Sequence, residues 1–410
     1  MSRLEELIAE YCPHGVPFKR FDEICSLHAR IGWQRLTKAE YMPSGKYMLV
    51  TGTDFTSNHE INYESCVYVS EERYLQDPKI QLKDGDVLIT KDGTLGKVAQ
   101  VHNLPMNATL NGGVFVVRCN DGSLDNRFIL HYLLSAHFSK VVDQQKTGST
   151  ISHLTQGLFS RLLIPVPPLP VQREIVRILD NFTELTTELT AELTARKKQY
   201  EYYRDDLLHL NGERIAIQDL FETRNGFTPS KDNPEYWEEG NLPWFKLDDI
   251  NDKGRVLSDS YLHITSKALK KSGLFPKDSI IISTSATIGE YALITVPFLC
   301  NQRFTCLTVK PQYKDRVYIK YLMHYCPVLS KYCKEHLNQG NFASVDMKQF
   351  ARFEFVIPPL EEQHRVVAIL DRFDALCNDV SSGLPAEIEA RQKQYEHYRD
   401  KLLTFKEKEA

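Results

Sequence analysis

Residues 167–208 read PPLPVQREIVRILDNFTELTTELTAELTARKKQYEYYRDDLL, and residues 358–403 read PPLEEQHRVVAILDRFDALCNDVSSGLPAEIEARQKQYEHYRDKLL. Pro167-Pro168-Leu169, Gln172, Ile178-Leu179-Asp180 and Phe182 return as Pro358-Pro359-Leu360, Gln363, Ile369-Leu370-Asp371 and Phe373, all at an offset of 191. Lys198-Gln199-Tyr200-Glu201 and Tyr203-Arg204-Asp205 return as Lys393-Gln394-Tyr395-Glu396 and Tyr398-Arg399-Asp400 at an offset of 195, so the second copy carries four extra residues. Upstream the echo is weaker. Leu88-Ile89-Thr90 with Thr94-Leu95-Gly96 matches Ile281-Ile282-Ser283 with Thr287-Ile288-Gly289 at 193, and Phe159-Ser160-Arg161 matches Phe350-Ala351-Arg352 at 191. A period this long does not describe a solenoid; it describes two fused copies of one domain-plus-helix unit.

The repeated segments carry a helical seam. After Pro165, Pro167 and Pro168, apolar or aromatic residues fall at Val171, Ile175, Ile178, Phe182, Leu185, Leu189, Leu193, Tyr200, Tyr203 and Leu207. Spacings of three and four, with one of seven across polar Arg196 and one four-residue stutter, make a heptad pattern. About 40 residues at ~1.5 Å each give a rod of roughly 60 Å. The second copy places Val366, Ile369, Phe373, Leu376, Val380, Ile388, Tyr395, Tyr398 and Leu402 on matching positions. Its extra residues lie near Ser381-Ser382-Gly383-Leu384-Pro385, where Gly and Pro should kink or break the helix. Two such helices in one chain are expected to pair as an antiparallel coiled-coil spacer; the competing reading is an ordinary core helix in each domain. Within the first copy, Thr183 to Arg196 (TELTTELTAELTAR) repeats a tetrapeptide. Each unit of four adds ~6 Å of rod, so its copy number would set a distance.

The layout is therefore a globular domain over 1–166, a helix over 167–210, a second globular domain over 211–357 and a second helix over 358–410. Length agrees, since 410 residues at ~150 per domain correspond to two or three. Hydrophobic residues at 42%, with 20 Phe and 20 Tyr, are enough for a sizeable core and exclude a disordered chain or a small disulfide scaffold. No apolar run approaches the ~18 residues of a membrane span, and MSRLEELIAEY lacks the basic and apolar regions of a signal peptide. The nine Cys are odd in number and form no Cys-x-x-Cys, which points to reduced, mostly buried thiols in a cytoplasm. A net charge of −4 argues against a chain that coats nucleic acid unaided.

Each globular part reads as mixed α/β (α+β). Asp86–Thr90 and Gly113–Val117 look like strands and Arg127–Val142 like a helix in the first; Ser279–Ser283 and Phe304–Val309 look like strands and Val317–Leu329 like a helix in the second. Between them lie loops rich in small and hydroxyl residues. Lys91, Thr94 and Lys97 occupy one, and Lys146, Thr147, Ser149 and Thr150 another. Their counterparts hold Thr284, Ser285 and Thr287, and then Gln339, Asn341 and Ser344. Exposed amides, hydroxyls and ammonium groups are what bonding to phosphates and base edges requires. Trp33 with Arg30 and Arg35, and Trp244 with Lys246, join these as candidates. Plain turns and scaffold aromatics of the same composition are the competing reading.

Catalytic motifs are missing. Asn233-Pro234-Glu235-Tyr236 has Glu where a base-holding (N/D/S)-P-P-(Y/F) loop needs its second Pro, and Gly45-Lys46 is followed by Tyr47 rather than Ser or Thr. There is no HExxH helix, no GxSxG elbow, and the thirteen His are scattered. No catalytic residue and no metal site is expected.

On these repeated helices the chain resembles the specificity (S, HsdS) subunit of type I restriction–modification systems, and the likeness covers its whole layout. The resemblance implies two target-recognition domains, two spacer helices and a pseudo-twofold internal repeat in a non-catalytic, cytoplasmic bacterial or archaeal protein. It implies double-stranded DNA as a partner, read as an asymmetric bipartite site with the helices as the ruler. It also implies two modification (methyltransferase) subunits held by the seams of Ile175 to Leu207 and Val366 to Leu402, and restriction (motor-endonuclease) subunits in the full complex. S-adenosylmethionine for adenine-N6 methylation, ATP and Mg would then reside on partner subunits, with no cofactor on this chain. A stand-alone methyltransferase or nuclease with degenerate motifs, and an adaptor that joins two partners without reading DNA, are the alternatives.

Overall fold

The computed structural model describes residues 2–146, 154–159, 161–208, 211–338, 343–378 and 382–408. They form two compact units, one built from residues up to Glu192 together with those from Ala386 onward, the other from Leu193–Pro385.

In the first unit a four-stranded antiparallel sheet runs in the order Cys25–His28, Val114–Cys119, Val87–Thr90, Val98–Gln100. A mixed three-stranded sheet orders Val67–Val69, Tyr47–Val50 and Ala108–Leu110, and Phe18–Arg20 pairs antiparallel with Leu163–Pro165. In the second unit five strands run Phe221–Asn225, Phe304–Val309, Ser279–Ser283, Tyr291–Ile294, Val256–Leu257, beside a three-stranded sheet of His263–Ile264, Leu242–Phe245 and Leu299–Cys300. Glu213–Ala216 pairs antiparallel with Glu354–Ile357. Val87–Thr90 and Ser279–Ser283 are buried at every position, which is why each reads as a continuous apolar run and not as an alternating one.

Two helices depart from the sequence reading. Arg127–Val142 is two helices, Asn126–Leu134 and Ala136–Lys146. Ser135 is extended between them, its hydroxyl donating to the Tyr132 carbonyl at 2.7 Å and accepting from the Phe138 amide at 3.4 Å. A serine bonding its own backbone in this way ends one helix and starts the next. The helix expected over Val317–Leu329 is Ile319–Glu335, which continues through Pro327. All nine cysteines are free thiols, and burial pushes Cys66, Cys306 and Cys333 each up to about 12. Among the described residues no helix is long and apolar enough to cross a membrane.

The first repeat is one continuous helix of 40 residues, Leu169–Leu208, which gives its residues to 192 to the first unit and the rest to the second. The second repeat is two helices, Leu360–Asn378 and Leu384–Leu402. Residues 379–381, and with them Val380 and Ser381, lie outside the described residues; Ser382 and Gly383 precede the later helix, and Pro385 sits in its first turn, where no amide donor is needed.

Each unit seats its helices by the same bonds. Val171, Ile175 and Leu179 are fully buried in the first core, and Val366 and Leu370 in the second. The Gln172 amide donates to the carbonyls of Ser123 and Pro167 at 2.7 and 2.6 Å, and its oxygen accepts from the Asp125 amide at 2.8 Å. Gln363 repeats this with Arg316, Pro358 and Tyr318, all at 2.8 Å. Two turns further along, Asp180 accepts from His131 at 2.9 Å and Arg127 at 2.8 Å, as Asp371 does from His324 at 2.8 Å and Lys320 at 2.9 Å. Aromatic stacking closes the arrangement: Phe182 on Tyr398 at 5.4 Å in the first unit, Phe373 on Tyr203 at 5.8 Å in the second.

Gln172→Ala strips partners from two carbonyls and one amide, which at the usual cost of an orphaned buried group amounts to about 2–4 kcal/mol. Thermal denaturation should show the first unit melting roughly 5–10 °C lower. Gln172→Glu should not restore it, because a carboxylate cannot donate to Ser123 and Pro167. A melting temperature unchanged by both substitutions would rule out the clamp.

The same network gives a pH dependence. Burial lowers the pKa of His131, so its ring is neutral, Nε2–H donating to Asp180 and Nδ1 accepting from the Tyr395 hydroxyl at 3.1 Å. Its folded pKa lies below the unfolded value of ~6.5, so protonation favours the unfolded chain and stability is lost as pH falls below that value. Between pH 7 and 5.5 the melting temperature of the wild type should fall more steeply than that of His131→Gln. Parallel slopes would count against the assignment.

Candidate nucleic-acid interface

Both units end their strands in the same rim of turns. In the first, the Asn111 amide bonds the Val50 carbonyl at 2.9 Å and the Asn111 side chain donates to Tyr41 at 2.9 Å. In the second, the Asn301 amide bonds the Phe245 carbonyl at 3.0 Å and its side-chain oxygen accepts from the Arg303 amide at 2.9 Å. Beside each turn a buried carboxylate closes a loop. Asp54 accepts from the Thr51 amide at 2.8 Å and the Ser65 hydroxyl at 2.8 Å, and Asp249 accepts from the Lys246 amide at 2.8 Å and the Tyr261 amide at 2.7 Å. The hairpin alongside is tied in equally: the Lys91 amide to Gly113 and the Leu154 amide to Lys91 at 2.9 and 3.0 Å, the Thr284 amide to Arg303 and the Val345 amide to Thr284 at 2.9 Å each.

Against this rim the candidate residues sort by accessibility. Thr94 and Lys97 are exposed in the turn between Val87–Thr90 and Val98–Gln100, whose base is held by the Thr90 hydroxyl accepting from the Lys97 amide at 3.0 Å. Lys91 is half-buried, its ammonium 5.1 Å from the centroid of the Phe115 ring. In the second unit Thr287 is exposed and Ser285 and Ser344 are half-buried, bridged to one another through their backbones. Thr284 is a correction: its hydroxyl lies inside, 2.9 Å from that of Thr305, and offers nothing outward. Lys246 is paired with Asp248, whose carboxylate raises the pKa of its ammonium, and it faces inward competition for any phosphate. Arg30 is also corrected, being 1% exposed and bonded to the Leu110 and Arg73 carbonyls, Gln76 and Thr109 as a structural cross-link. Trp244 is buried, its indole donating to the Phe227 carbonyl at 3.0 Å. Lys146 ends its helix; Thr147, Ser149, Thr150, Gln339 and Asn341 lie outside the described residues, and nothing is described for the side chains of Lys146 and Trp33.

The helix seam also sorts. Ile175 and Val366 are core, and Tyr395 is buried against the first unit's core. Ile178, Phe182, Leu185, Leu189, Leu193, Tyr200, Leu207, Ile369, Phe373, Ile388 and Leu402 are half-buried. Tyr203 and Tyr398 are 40% and 41% exposed despite their stacking. Leu376, at 39% exposure, turns away from the core while its neighbour Cys377 is buried. The helices thus act as core at their first turns and as half-open ridges beyond.

What sequence reasoning missed is the inward support. Asp54, Asp249, Asn111 and Asn301 hold the rims, and His131 and His324 grip the helices. The histidines had a signal, since Leu130-His131-Tyr132 and Met323-His324-Tyr325 recur at an offset of 193. The arrangement presents hydroxyls, amides and ammonium groups for hydrogen bonding to an external polyanion. Among the described residues, no group of three or more His, Cys, Asp or Glu could hold a metal ion.

The family model described as "Type I restriction modification DNA specificity domain" matches twice, over residues 13–196 and 211–390. The chain is 48% identical over 204 residues to the type I restriction enzyme EcoprrI specificity subunit of Escherichia coli, a match spanning 48% of this chain and 51% of that one. It is 38% identical over 307 residues to the EcoR124I/EcoR124II specificity subunit of the same organism, spanning 71% and 73%. In structure it is similar to a chain solved in a study of assembly and conformational transition of the type I R-M system, at a TM-score of 0.64 and 19% identity, covering 95% and 97%. It is also similar to the type I S subunit from M. genitalium, at 0.53 and 16%, covering 95% and 96%.

Proposed function

This chain belongs to the type I restriction–modification DNA specificity family, and from that premise we propose that it reads an asymmetric bipartite DNA site, one half with each rim, and carries the modification subunits to it. The single observation that supports this most is duplication of the rim together with its helix clamp: Asn111 and Asn301 answer to each other, as do Gln172 and Gln363. Two like-built surfaces with different side chains suit two unlike half-sites, because groove contacts to bases specify while phosphate contacts only position. Of the hydroxyl and lysine candidates, Lys97, Thr94, Thr287, Ser285 and Ser344 are the described rim residues that would meet DNA; Lys91 contributes where its half-buried stem allows.

The helices serve two roles in this reading. Their exposed aromatic and apolar residues, Tyr202, Tyr203, Leu376 and Tyr398, form the surface that holds two modification subunits, as exposed apolar ridges suit protein partners. Those subunits supply S-adenosylmethionine and adenine-N6 chemistry, and restriction subunits supply ATP, Mg and cleavage, in the cytoplasm. The tetrapeptide region serves as the ruler. Its Thr183, Thr186, Thr187 and Thr190 hydroxyls each donate to the carbonyl four residues back, at 2.8–3.3 Å, so a unit of four can be added or removed without loss of those contacts.

A base-resolution map of N6-methyladenine in host DNA, with and without this chain, tests the reading. Loss of one asymmetric bipartite motif is expected. An adaptor that does not read DNA would leave the motif in place. Deletion of Thr187–Thr190 shortens the rod by ~6 Å and should bring the same two half-sites closer by one or two base pairs of ~3.4 Å each. A motif with unchanged spacing would rule out the ruler.

A further inference from the structure

The turn at the head of each rim is built alike but dressed differently. In the second unit the residues after Asn301 are Gln302 and Arg303, both exposed; in the first the residues after Asn111 are Gly112 and Gly113. The second turn is rigid. Gly226 lies so close beneath it that an added Cβ would fall 2.3 Å from the carbonyl oxygens of Cys300 and Asn301, and the Phe227 amide donates to the Cys300 carbonyl at 2.8 Å. Gln302 is oriented by the Thr228 hydroxyl, which donates to its side-chain oxygen. The first turn, bare of side chains, has Arg35 laid against it, with the Arg35 Cγ 3.7 Å from where a Cβ on Gly112 would stand.

Both turns thereby have an exposed arginine, Arg303 within the second turn and Arg35 beside the first. Most other arginines of the globular parts are spoken for: Arg30 by four buried bonds, Arg118 by Asp86, Arg255 by Glu290, Arg316 by Glu213. Among the described residues, the side chains of Arg35 and Arg303 have no ion pair or hydrogen bond. A free fork on a fixed turn has the donor geometry that reads O6 and N7 of guanine, and a glutamine amide has the donor and acceptor that read adenine.

We infer that Arg303, with Gln302 beside it, reads base edges in the half-site of the second domain, and that Arg35 reads a base edge in the half-site of the first. The inference rests on the DNA-reading function above and assigns it to side chains. Arg303 and Arg35 are specificity residues, in contrast to lysines of the rim that meet phosphates without regard to sequence.

The test is the methylation motif of host strains whose only copy carries Arg303→Lys, Gln302→Ala or Arg35→Lys. Lysine keeps the charge that a phosphate contact needs but loses the paired donors of the fork. Arg303→Lys should relax one position, by about tenfold or more, in one half-site only; Arg35→Lys should relax one position in the other half; and Gln302→Ala should relax a position adjacent to that of Arg303. Motifs identical to wild type in all three strains would overturn the inference while leaving the DNA-reading function intact. Uniform weakening of methylation with no relaxed position would also overturn it, by making these residues phosphate contacts. Absence of any bipartite motif in the wild type would remove the reading on which the inference rests.

Discussion

The first turn of each long helix is governed by one buried amide. Two prolines precede it and can donate nothing, so the chain entering the helix presents carbonyls that burial would orphan. Gln172 and Gln363 answer those carbonyls and at the same time hold the loop that starts the helix packed beside them. A single side chain thus fixes where the helix leaves the domain and at what angle. Every residue farther along, from the Asp180 and Asp371 grips to the aromatic stacks, inherits its position from that point. An apolar residue of similar size could fill the space but could not set the direction, because hydrophobic contact has none.

Rigidity continues at the opposite end of each domain. The rims are held from inside by buried carboxylates and asparagine turns, so their outward side chains can differ between the two units without disturbing the frame. Gly112 in one place and Gln302 in the other sit on equivalent backbone. Function that depends on sequence discrimination gains from this separation, since a contact can be exchanged at an exposed turn for a few tenths of a kcal/mol in stability.

The helices and the four-residue surplus were legible because repetition inside one chain makes pattern visible without any second sequence. Strands such as Val87–Thr90 and Ser279–Ser283 were legible because burial on both faces forces a continuous apolar run. The rim was half legible: Thr94 and Thr287 belong to an echoed motif, but Asn111 and Asn301 stand at an offset of 190 and Asp54 and Asp249 at 195, so a single register does not align them. Arg30 and Thr284 illustrate the opposite error. A cation and a hydroxyl near a loop look available in sequence, and only packing shows that Leu110, Gln76 and Thr305 have already taken them. Leu376 fits the heptad by count, yet the helix turns Cys377 inward in its place.

The first unit is completed by the last helix: His131 meets Tyr395 across 264 residues, Leu403 lies in the core with Leu4 and Leu7, and the Lys408 amide donates to the Val16 carbonyl at 2.9 Å. The second unit draws only on Leu193–Pro385. On a ribosome, therefore, the domain translated first is finished last. Until Leu384–Leu402 has been made, the first core lacks Tyr395 and Leu403, whereas the second unit has all of its residues once Pro385 has been made.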